Sequence, residues 1–139
     1  MADAVAVRTI GETAKHIVVH CTNISDGTGE SDVVKVDKST LVASDGAEPA
    51  ALDIDKIVWC CDGMAVRVEW DHSTDDLAIA LSGSGSLDFT SGDLDTVPGN
   101  CRLKDPRSSG GTGDILFTTT GHTSGDTYNV TLWLRKQAD

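Results

Sequence analysis

Short runs of β-branched and apolar residues, each closed by glycine, aspartate or serine, fill this sequence from end to end. No stretch carries the sustained apolar period of about 3.6 residues that an amphipathic helix requires. Alternation with a period of about two residues is frequent instead, and it is typical of half-buried strands. About eight such runs predict an all-β, single-domain antiparallel β-sandwich or barrel, jelly-roll-like, with long Gly/Ser/Asp loops.

Alternation also predicts which side chains face the core, because successive strand residues point to opposite faces. The segments 15–22, 32–37 and 127–135 carry it most clearly. The residues expected on their core faces are Ile17, Val19 and Cys21, then Val34 and Val36, and finally Tyr128, Val130, Leu132 and Leu134.

Turn signals predict how these strands connect. Asp62-Gly63 separates two apolar runs, 54–61 and 64–71, and is a strong two-residue hairpin signal. The segments 114–120 and 127–135 are expected to form the last pair of strands. The residues 77–81 and 87–89 predict shorter strands, the second at a sheet edge. The segment 91–113 is dense in Gly, Ser, Asp and Pro, and a loop of that length is expected to be functional or mobile.

The charge of the chain limits its partners. Its 139 residues carry a formal net charge of -11, which argues against binding nucleic acid or anionic membranes because both are negatively charged. No basic and apolar targeting segment opens the sequence and no run is long enough to span a membrane. A soluble protein made in a cytoplasm is expected.

The four cysteines follow no disulfide or zinc-binding spacing. Adjacent Cys60 and Cys61 point to opposite faces of a strand, so they suit neither a shared disulfide nor one metal. Reduced thiols are the expectation, with Cys21–Cys60 or Cys61–Cys101 as alternative pairings.

The sequence holds no phosphate-binding loop, no dinucleotide fingerprint and no zinc-protease motif. His122, Ser124 and Asp126 supply the residue types of a hydrolytic triad, but neighbours in one turn rarely converge on one substrate. The chain is therefore predicted to be no enzyme and to need no cofactor.

Two patterns resemble metal sites. His16 and His20 share a strand face but lie about 13 Å apart, too far to ligate one ion. The segment 26–32 alternates oxygen-bearing side chains, as the first half of a calcium loop does, but lacks the glycine and glutamate of an EF-hand. A hairpin loop stabilised by Asx turns fits that segment better, so no metal site is predicted.

Contact residues are expected at two places. Trp70 shares a strand face with Val66 and Val68 and is expected in the core. Trp133 lies on the face opposite Tyr128 and Leu132, so it is a candidate contact residue. Residues 1–8 fit two descriptions equally, an ordinary first strand or an extended N-terminal arm that adds a strand to a neighbour's sheet. The predicted interaction residues are Ala4, Val5, Val7, Arg8 and Trp133.

Several phrases across most of the chain resemble small virion structural proteins of tailed bacteriophages. They are Met1-Ala2-Asp3-Ala4-Val5, the segments 22–30 and 34–37, Trp59, Asp62-Gly63-Met64, Val66, Val68, Trp70-Asp71, and the segments 113–119 and 121–128. Within that class the resemblance implies a capsid decoration, or cement, protein. Such a protein is made in the host cytoplasm, sits as a homotrimer on the outer capsid surface of the virion, and clamps adjacent copies of the major capsid protein.

Other functions remain open from the sequence. One is a tail or neck component, such as a head–tail connector, a tube protein or a fibre-associated protein. A second is a carbohydrate- or ligand-binding β-sandwich, in which Trp133 or Trp59 would line a groove. The third is the hydrolase that His122 and Asp126 would serve.

Overall fold

Two antiparallel sheets make up the fold. The computed structural model describes residues 3–89 and 102–138, and within those ranges it contains nine strands and no α-helix. The strands are β1 (Ala4–Glu12), β2 (His16–Ile24), β3 (Val33–Val36), β4 (Ala51–Asp62), β5 (Ala65–Trp70), β6 (Asp76–Leu81), β7 (Ser84–Asp88), β8 (Ile115–Thr120) and β9 (Thr127–Gln137). The larger sheet has the order β1-β2-β9-β4-β7 and the smaller one β3-β8-β5-β6. The predicted all-β sandwich is confirmed, and the sheets do not close into a barrel.

Strand pairing is nested. β2 pairs with β9, β3 with β8, β4 with β7 and β5 with β6, all antiparallel. A long ribbon of four strand pairs folded over itself in this way is a jelly roll. β1 adds a fifth strand outside β2 and forms one edge of the larger sheet.

The core lies between the two sheets and is built by the predicted alternation. Ile17, Val19 and Cys21 are buried on β2, and the alternate residues of β9 from Tyr128 to Leu134 are buried beside them. The smaller sheet contributes the other half of this core, chiefly Val66, Val68, Trp70, Ile115 and Phe117. Burying an apolar side chain of this size contributes about 1.5–3 kcal/mol. The prediction that Trp70 is a core residue is confirmed, and its indole Nε1 donates to the Leu52 carbonyl at 2.8 Å.

The hairpin predicted at Asp62-Gly63 is wrong. β4 and β5, which flank it, belong to different sheets, so the turn carries the chain across the sandwich. Gly63 has a φ of +84°, and a Cβ there would lie 2.3 Å from Asp126 Oδ1. The glycine is thus required by a close approach between two crossing turns rather than by a hairpin.

The predicted pairing of the last two strands is wrong for the same reason. β8 lies in the smaller sheet and β9 in the larger one. The intervening turn, 121–126, is another crossing.

A bulge overturns the expected faces of the third strand. The pairing with β8 shifts register between Val34 and Val36, so Val34 is 48% exposed while Lys35 and Val36 are buried. An extra residue in a strand moves the following side chains to the other face.

The cysteines in the described ranges are Cys21, Cys60 and Cys61, and all three are free thiols. Cys60 is exposed and Cys61 buried, as their adjacency on a strand predicted. Burial raises the pKa of Cys21 to about 12 and that of Cys61 to about 11. The alternative Cys61–Cys101 pairing lies outside the described residues.

A buried polar cluster joins the two sheets. The Glu30 carboxylate accepts hydrogen bonds from Asn23 Nδ2 at 2.7 Å and from the Tyr128 hydroxyl, and it pairs with the Lys35 ammonium. Asn23 and Tyr128 belong to the larger sheet, whereas Lys35 belongs to the smaller one. These four residues are called the Glu30 cluster below.

Lys35→Met should lower the free energy of unfolding by about 3–5 kcal/mol, because it leaves the Glu30 carboxylate buried without a cation. Chemical denaturation measures the change, and Lys104→Met, at an exposed position, is the control. The double variant Glu30→Gln/Lys35→Met should regain part of the loss. Additive losses in the double variant would contradict this description of the pair.

Candidate functional site

The first candidate surface is the outer edge of the larger sheet. β1 pairs with β2 along one side only, and within the described residues no strand pairs with its other side. All four predicted contact residues on it, Ala4, Val5, Val7 and Arg8, are exposed. Val5 and Val7 are opposite Asn23 and Cys21, which face the core, so the smaller sheet leaves this side of β1 uncovered. Ile10 is 64% exposed at the bulge that follows.

A shallow groove of about 530 Å³ adjoins the start of β1. It is called the edge groove, and it is lined by Ala4–Ala6, Thr22–Ile24 and Thr127–Asn129. Asn23 Oδ1 is buried there and accepts no hydrogen bond. The exposed lining of the groove is therefore mainly apolar, since the Asn23 atom itself is inaccessible.

The tryptophans proposed for contacts are placed differently from each other. Trp133 is half-buried on the outer face of β9, and the Lys56 ammonium lies 5.0 Å from its ring centroid. Trp59 lies on β4, donates its Nε1 hydrogen to the Ser82 carbonyl at 3.0 Å, and packs against Gly85. Trp133 thus faces away from the core, as predicted, whereas Trp59 is held by β7.

The loop with calcium-like spacing binds a carboxylate of the same chain. Asp3 Oδ1 accepts the backbone N–H groups of Asp26 at 3.0 Å and Gly29 at 3.2 Å, and Asp3 Oδ2 accepts from Asn23 Nδ2 at 3.1 Å. Asp26 Oδ1 accepts from the Thr28 N–H, which is the Asx turn expected here, but the loop joins strands of different sheets and is not the expected hairpin. Backbone donors directed inward suit an anion and not a cation.

The pKa of Asp3 reflects this arrangement. Partial burial raises it, but the hydrogen bonds from Asp26, Asn23 and Gly29 together outweigh that effect and lower the pKa to about 2.

The residue types of a hydrolytic triad do not converge. His122 Nδ1 lies 3.2 Å from the Thr119 hydroxyl, while Asp126 Oδ2 accepts from the N–H and hydroxyl of Thr123. The two strand histidines are also separate: His20 contacts Thr131, and His16 lies 3.5 Å from Asp55.

A second candidate site surrounds His72, which lies in the turn between β5 and β6. His72 is buried, its Nδ1 lies 3.1 Å from the Gly110 carbonyl, and its Nε2 lies 2.7 Å from Asp105 Oδ1. Asp76 Oδ2 lies 3.8 Å from the same nitrogen. These three side chains, His72, Asp76 and Asp105, are called the His72 cluster. Burial lowers the pKa of His72, but the hydrogen bonds to Asp105 and Gly110 and the two carboxylate charges raise it above its ordinary value.

Long-range contacts hold Asp105 in place. The Asp105 N–H donates to Asp53 Oδ1 at 3.0 Å, and Asp53 Oδ2 pairs with Arg102 at 2.7 Å. Leu103 forms an isolated bridge with Ile54 on β4. The segment 102–105 is therefore fixed to the larger sheet by these contacts. His72 lies in the β5–β6 turn of the smaller sheet, and Asp76 is the first residue of β6.

Two glycines allow the loop to close over His72. Gly110 and Gly111 have φ values of +79° and +67°. A Cβ would lie 1.7 Å from Ser73 Oγ at Gly110, and 2.4 Å from the Asp71 carbonyl oxygen at Gly111. A cleft of about 320 Å³, lined in part by His72, Asp105 and Arg107, opens beside the cluster.

Sequence reasoning did not bring this cluster together. Asp105 lies 33 residues from His72, and no motif links them. Composition was the available signal for this cluster. Asp71, Asp75 and Asp76 lie close to His72 in the sequence, and the paired glycines at 110–111 indicate a close approach of the backbone to another segment.

Comparison with models of known protein families found no match, and comparison with curated proteins found no similar sequence. Among the described residues, no helix is long and apolar enough to cross a membrane.

The Asp3 contacts predict an acid-sensitive contribution to stability. The folded pKa of about 2 is below the ordinary value of 3.8. The contribution is therefore present above the ordinary value and lost as the pH falls towards the folded value. The difference in Tm between the wild type and Asp3→Asn should shrink as the pH falls from about 6 to about 2. A difference that stays constant across that range would contradict the assignment.

Gly111→Ala should lower the free energy of unfolding by about 1–3 kcal/mol, because it adds a collision to a left-handed backbone conformation. Gly46→Ala is the matched control, since Gly46 has a φ of +82° but open space around it. Denaturation measures both, and only Gly111→Ala should also shift the NMR resonances of the His72 ring. Equal losses and an unshifted ring would show that the loop does not close on His72.

Proposed function

We propose that this chain is a bacteriophage virion structural protein, a capsid decoration protein that forms homotrimers on the outer head shell and stabilises adjacent major capsid subunits. The observation that carries the proposal is the free edge of β1, joined to a jelly-roll sandwich. The resemblance to small phage virion proteins supports it. Jelly rolls also occur in capsid and lectin domains, although a fold alone does not assign a function.

The edge of β1 is protected against strand pairing only towards its end, where the register shifts between Thr9 and Gly11. Sheet edges are commonly blunted by lysine, proline or short length. β1 has nine residues, exposes Val5, Val7 and Ile10, and carries Arg8 as its single cation. Such an edge is suited to receive a strand from another subunit through main-chain hydrogen bonds. In the proposed trimer that strand comes from a second copy of this chain, and the edge groove adds apolar contact beside it.

Charge supports assembly on a larger surface. With a net charge of -11, free copies repel one another at long range, and a basic partner surface would offset that repulsion. A decoration protein makes its shell contacts only on the assembled head, so binding stabilises the assembled state by mass action. Three linked copies also gain affinity through multivalency.

The outer face of β9 is the proposed contact with the shell. Trp133 lies at the centre of the larger sheet, with Lys56 over its ring. Half-buried tryptophan is frequent at the energetic centres of interfaces. No catalytic role is proposed for the chain.

The decisive test of location is electron cryo-microscopy of the virions or other assemblies with which the protein co-purifies. Many copies at regular positions over an icosahedral shell are expected, and shells lacking the protein should break at lower temperature. Few copies on the tail axis would reject decoration in favour of a tail or neck component. Absence from every particle, with retention on a glycan array, would favour the ligand-binding alternative.

A test of assembly uses the double variant Val5→Lys/Val7→Lys, which adds two charges to the exposed side of β1. Light scattering should show a trimer for the wild type and a monomer for the variant, with an unchanged circular dichroism spectrum. Leu77→Lys is the control, since Leu77 is also an exposed apolar residue on an edge strand, β6. A variant that remains trimeric would exclude β1 from the interface.

A further inference from the structure

We propose that His72, Asp76 and Asp105 form a binding site for a divalent transition-metal cation of the Zn²⁺ type. Their ligand atoms lie within 4.8 Å of one another. Imidazole and carboxylate are both ligands that Zn²⁺ accepts. The site is separate from the β1 edge and does not depend on the proposed function.

The orientation of His72 favours metal binding. Its Nδ1 lies 3.1 Å from the Gly110 carbonyl, which can only accept a hydrogen bond, so Nδ1 carries a hydrogen. Nε2 is thereby directed at both carboxylates. A metal-binding histidine usually donates its other ring N–H to a carbonyl or carboxylate in this way.

Asp76 distinguishes a metal site from a simple histidine–aspartate pair. Its Oδ2 atom is buried and accepts no hydrogen bond in the described structure. Buried carboxylate oxygens are normally satisfied because an unpaired one is costly. His72 and Asp105 satisfy each other at 2.7 Å, whereas Asp76 Oδ2 has only a 3.8 Å ion-pair contact with His72 Nε2. A cation between all three would satisfy it.

The spacing fits a cation after a small movement. Tetrahedral Zn²⁺ with bonds of about 2.0–2.2 Å places neighbouring ligand atoms about 3.3–3.6 Å apart. Asp76 Oδ2 is 3.8 Å from His72 Nε2, close to that value, and Asp105 would need to retreat by less than about 1 Å. The adjoining cleft supplies room for a water molecule as the fourth ligand.

Further hydrogen bonds hold Asp105 in position. Its Oδ1 also accepts the Arg107 N–H at 2.8 Å. The backbone of the same residue is fixed by Asp53. Two carboxylates and a neutral imidazole carry a charge of about -2, which matches a divalent cation.

A neighbouring acidic group is a weaker candidate and serves as the control. Asp32, Glu69 and Asp75 also bring carboxylate oxygens together, but they are more exposed and include no histidine. The Thr118 hydroxyl lies within hydrogen-bond distance of both Asp32 and Glu69. That group therefore has a structural explanation without an ion.

The experiment is calorimetric titration of the full chain with Zn²⁺. Cys60→Ser is used as the background, because the exposed Cys60 thiol is a competing zinc ligand. One Zn²⁺ per chain is expected, with a rise in Tm on loading. Loss of a supporting residue around a metal typically weakens binding about 10–100-fold, so Asp76→Asn, which removes a direct ligand, should weaken it at least that much. Glu69→Gln removes the same charge from the neighbouring group and should leave affinity unchanged.

Asp76→Asn keeps the His72–Asp105 pair, so the variant is expected to fold, and its circular dichroism spectrum checks this. Co²⁺ loading gives a second readout, a visible spectrum that His72→Gln should alter if that variant also folds. Failure of the chain to bind Zn²⁺, or unchanged affinity in Asp76→Asn, would overturn the proposal. Loss of binding in Glu69→Gln instead would place the ion at the neighbouring group and also overturn it.

Discussion

The buried Glu30 carboxylate is the constraint on which the arrangement of the two sheets depends. A charge removed from water must be paired and hydrogen-bonded, since its desolvation otherwise costs several kcal/mol. Glu30 meets this demand only when Lys35 from the smaller sheet and Asn23 and Tyr128 from the larger sheet converge on it. Apolar packing would tolerate a small sliding of one sheet over the other, whereas these directional bonds do not. The bulge in β3 follows from the same demand, because it turns Lys35 inward next to Val36.

The nested pairing then divides the connections between two ends of the sandwich. The loop 25–32 and the turns around Gly63 and Gly125 meet at one end. There the Ser25 N–H donates to the Asp126 carbonyl, the Ser25 carbonyl accepts from the Gly125 N–H, and Gly63 approaches Asp126. The β5–β6 turn and the segment 102–114 meet at the other, where Asp71 bonds to Gly113 and Asp114. The edge groove lies at the first end and the His72 cluster at the second. The proposed assembly edge and the proposed metal site therefore lie at different ends of the sandwich.

The sequence predicted the buried faces of strands, which depend on local periodicity. It did not predict strand pairing or the His72 cluster, which depend on residues far apart in the chain. Tyr128 to Leu134 and Ile17 to Cys21 follow a period of two residues, so their buried faces were predictable. Asp62-Gly63 has the residue types of a hairpin turn, but β4 pairs with β7 and β9 instead of with β5. A two-residue turn signal does not show which strands will pair. The residues of β1 predicted to make contacts are exposed, and their role in contacts stays a prediction. The His72 cluster was missed because Asp105 is held there by contacts with Asp53, which lies 52 residues away in the sequence.

One group left unsatisfied within the chain coincides with the proposed metal site. Folded proteins pair nearly all buried polar atoms, so exceptions call for an explanation. Among the described residues, three buried side-chain atoms lack a hydrogen-bond partner: Asn23 Oδ1, Asp55 Oδ1 and Asp76 Oδ2. Asp55 lies at the bulge of β4, where the extra residue interrupts the ladder. Asn23 lines the edge groove beside the open strand β1, and Asp76 faces His72 Nε2. The Asn23 atom faces the core from β2, out of reach of a strand added to the edge of β1, whereas a cation would supply charge to Asp76. The free chain thus retains, at the His72 cluster, the bonding capacity that a cation would use.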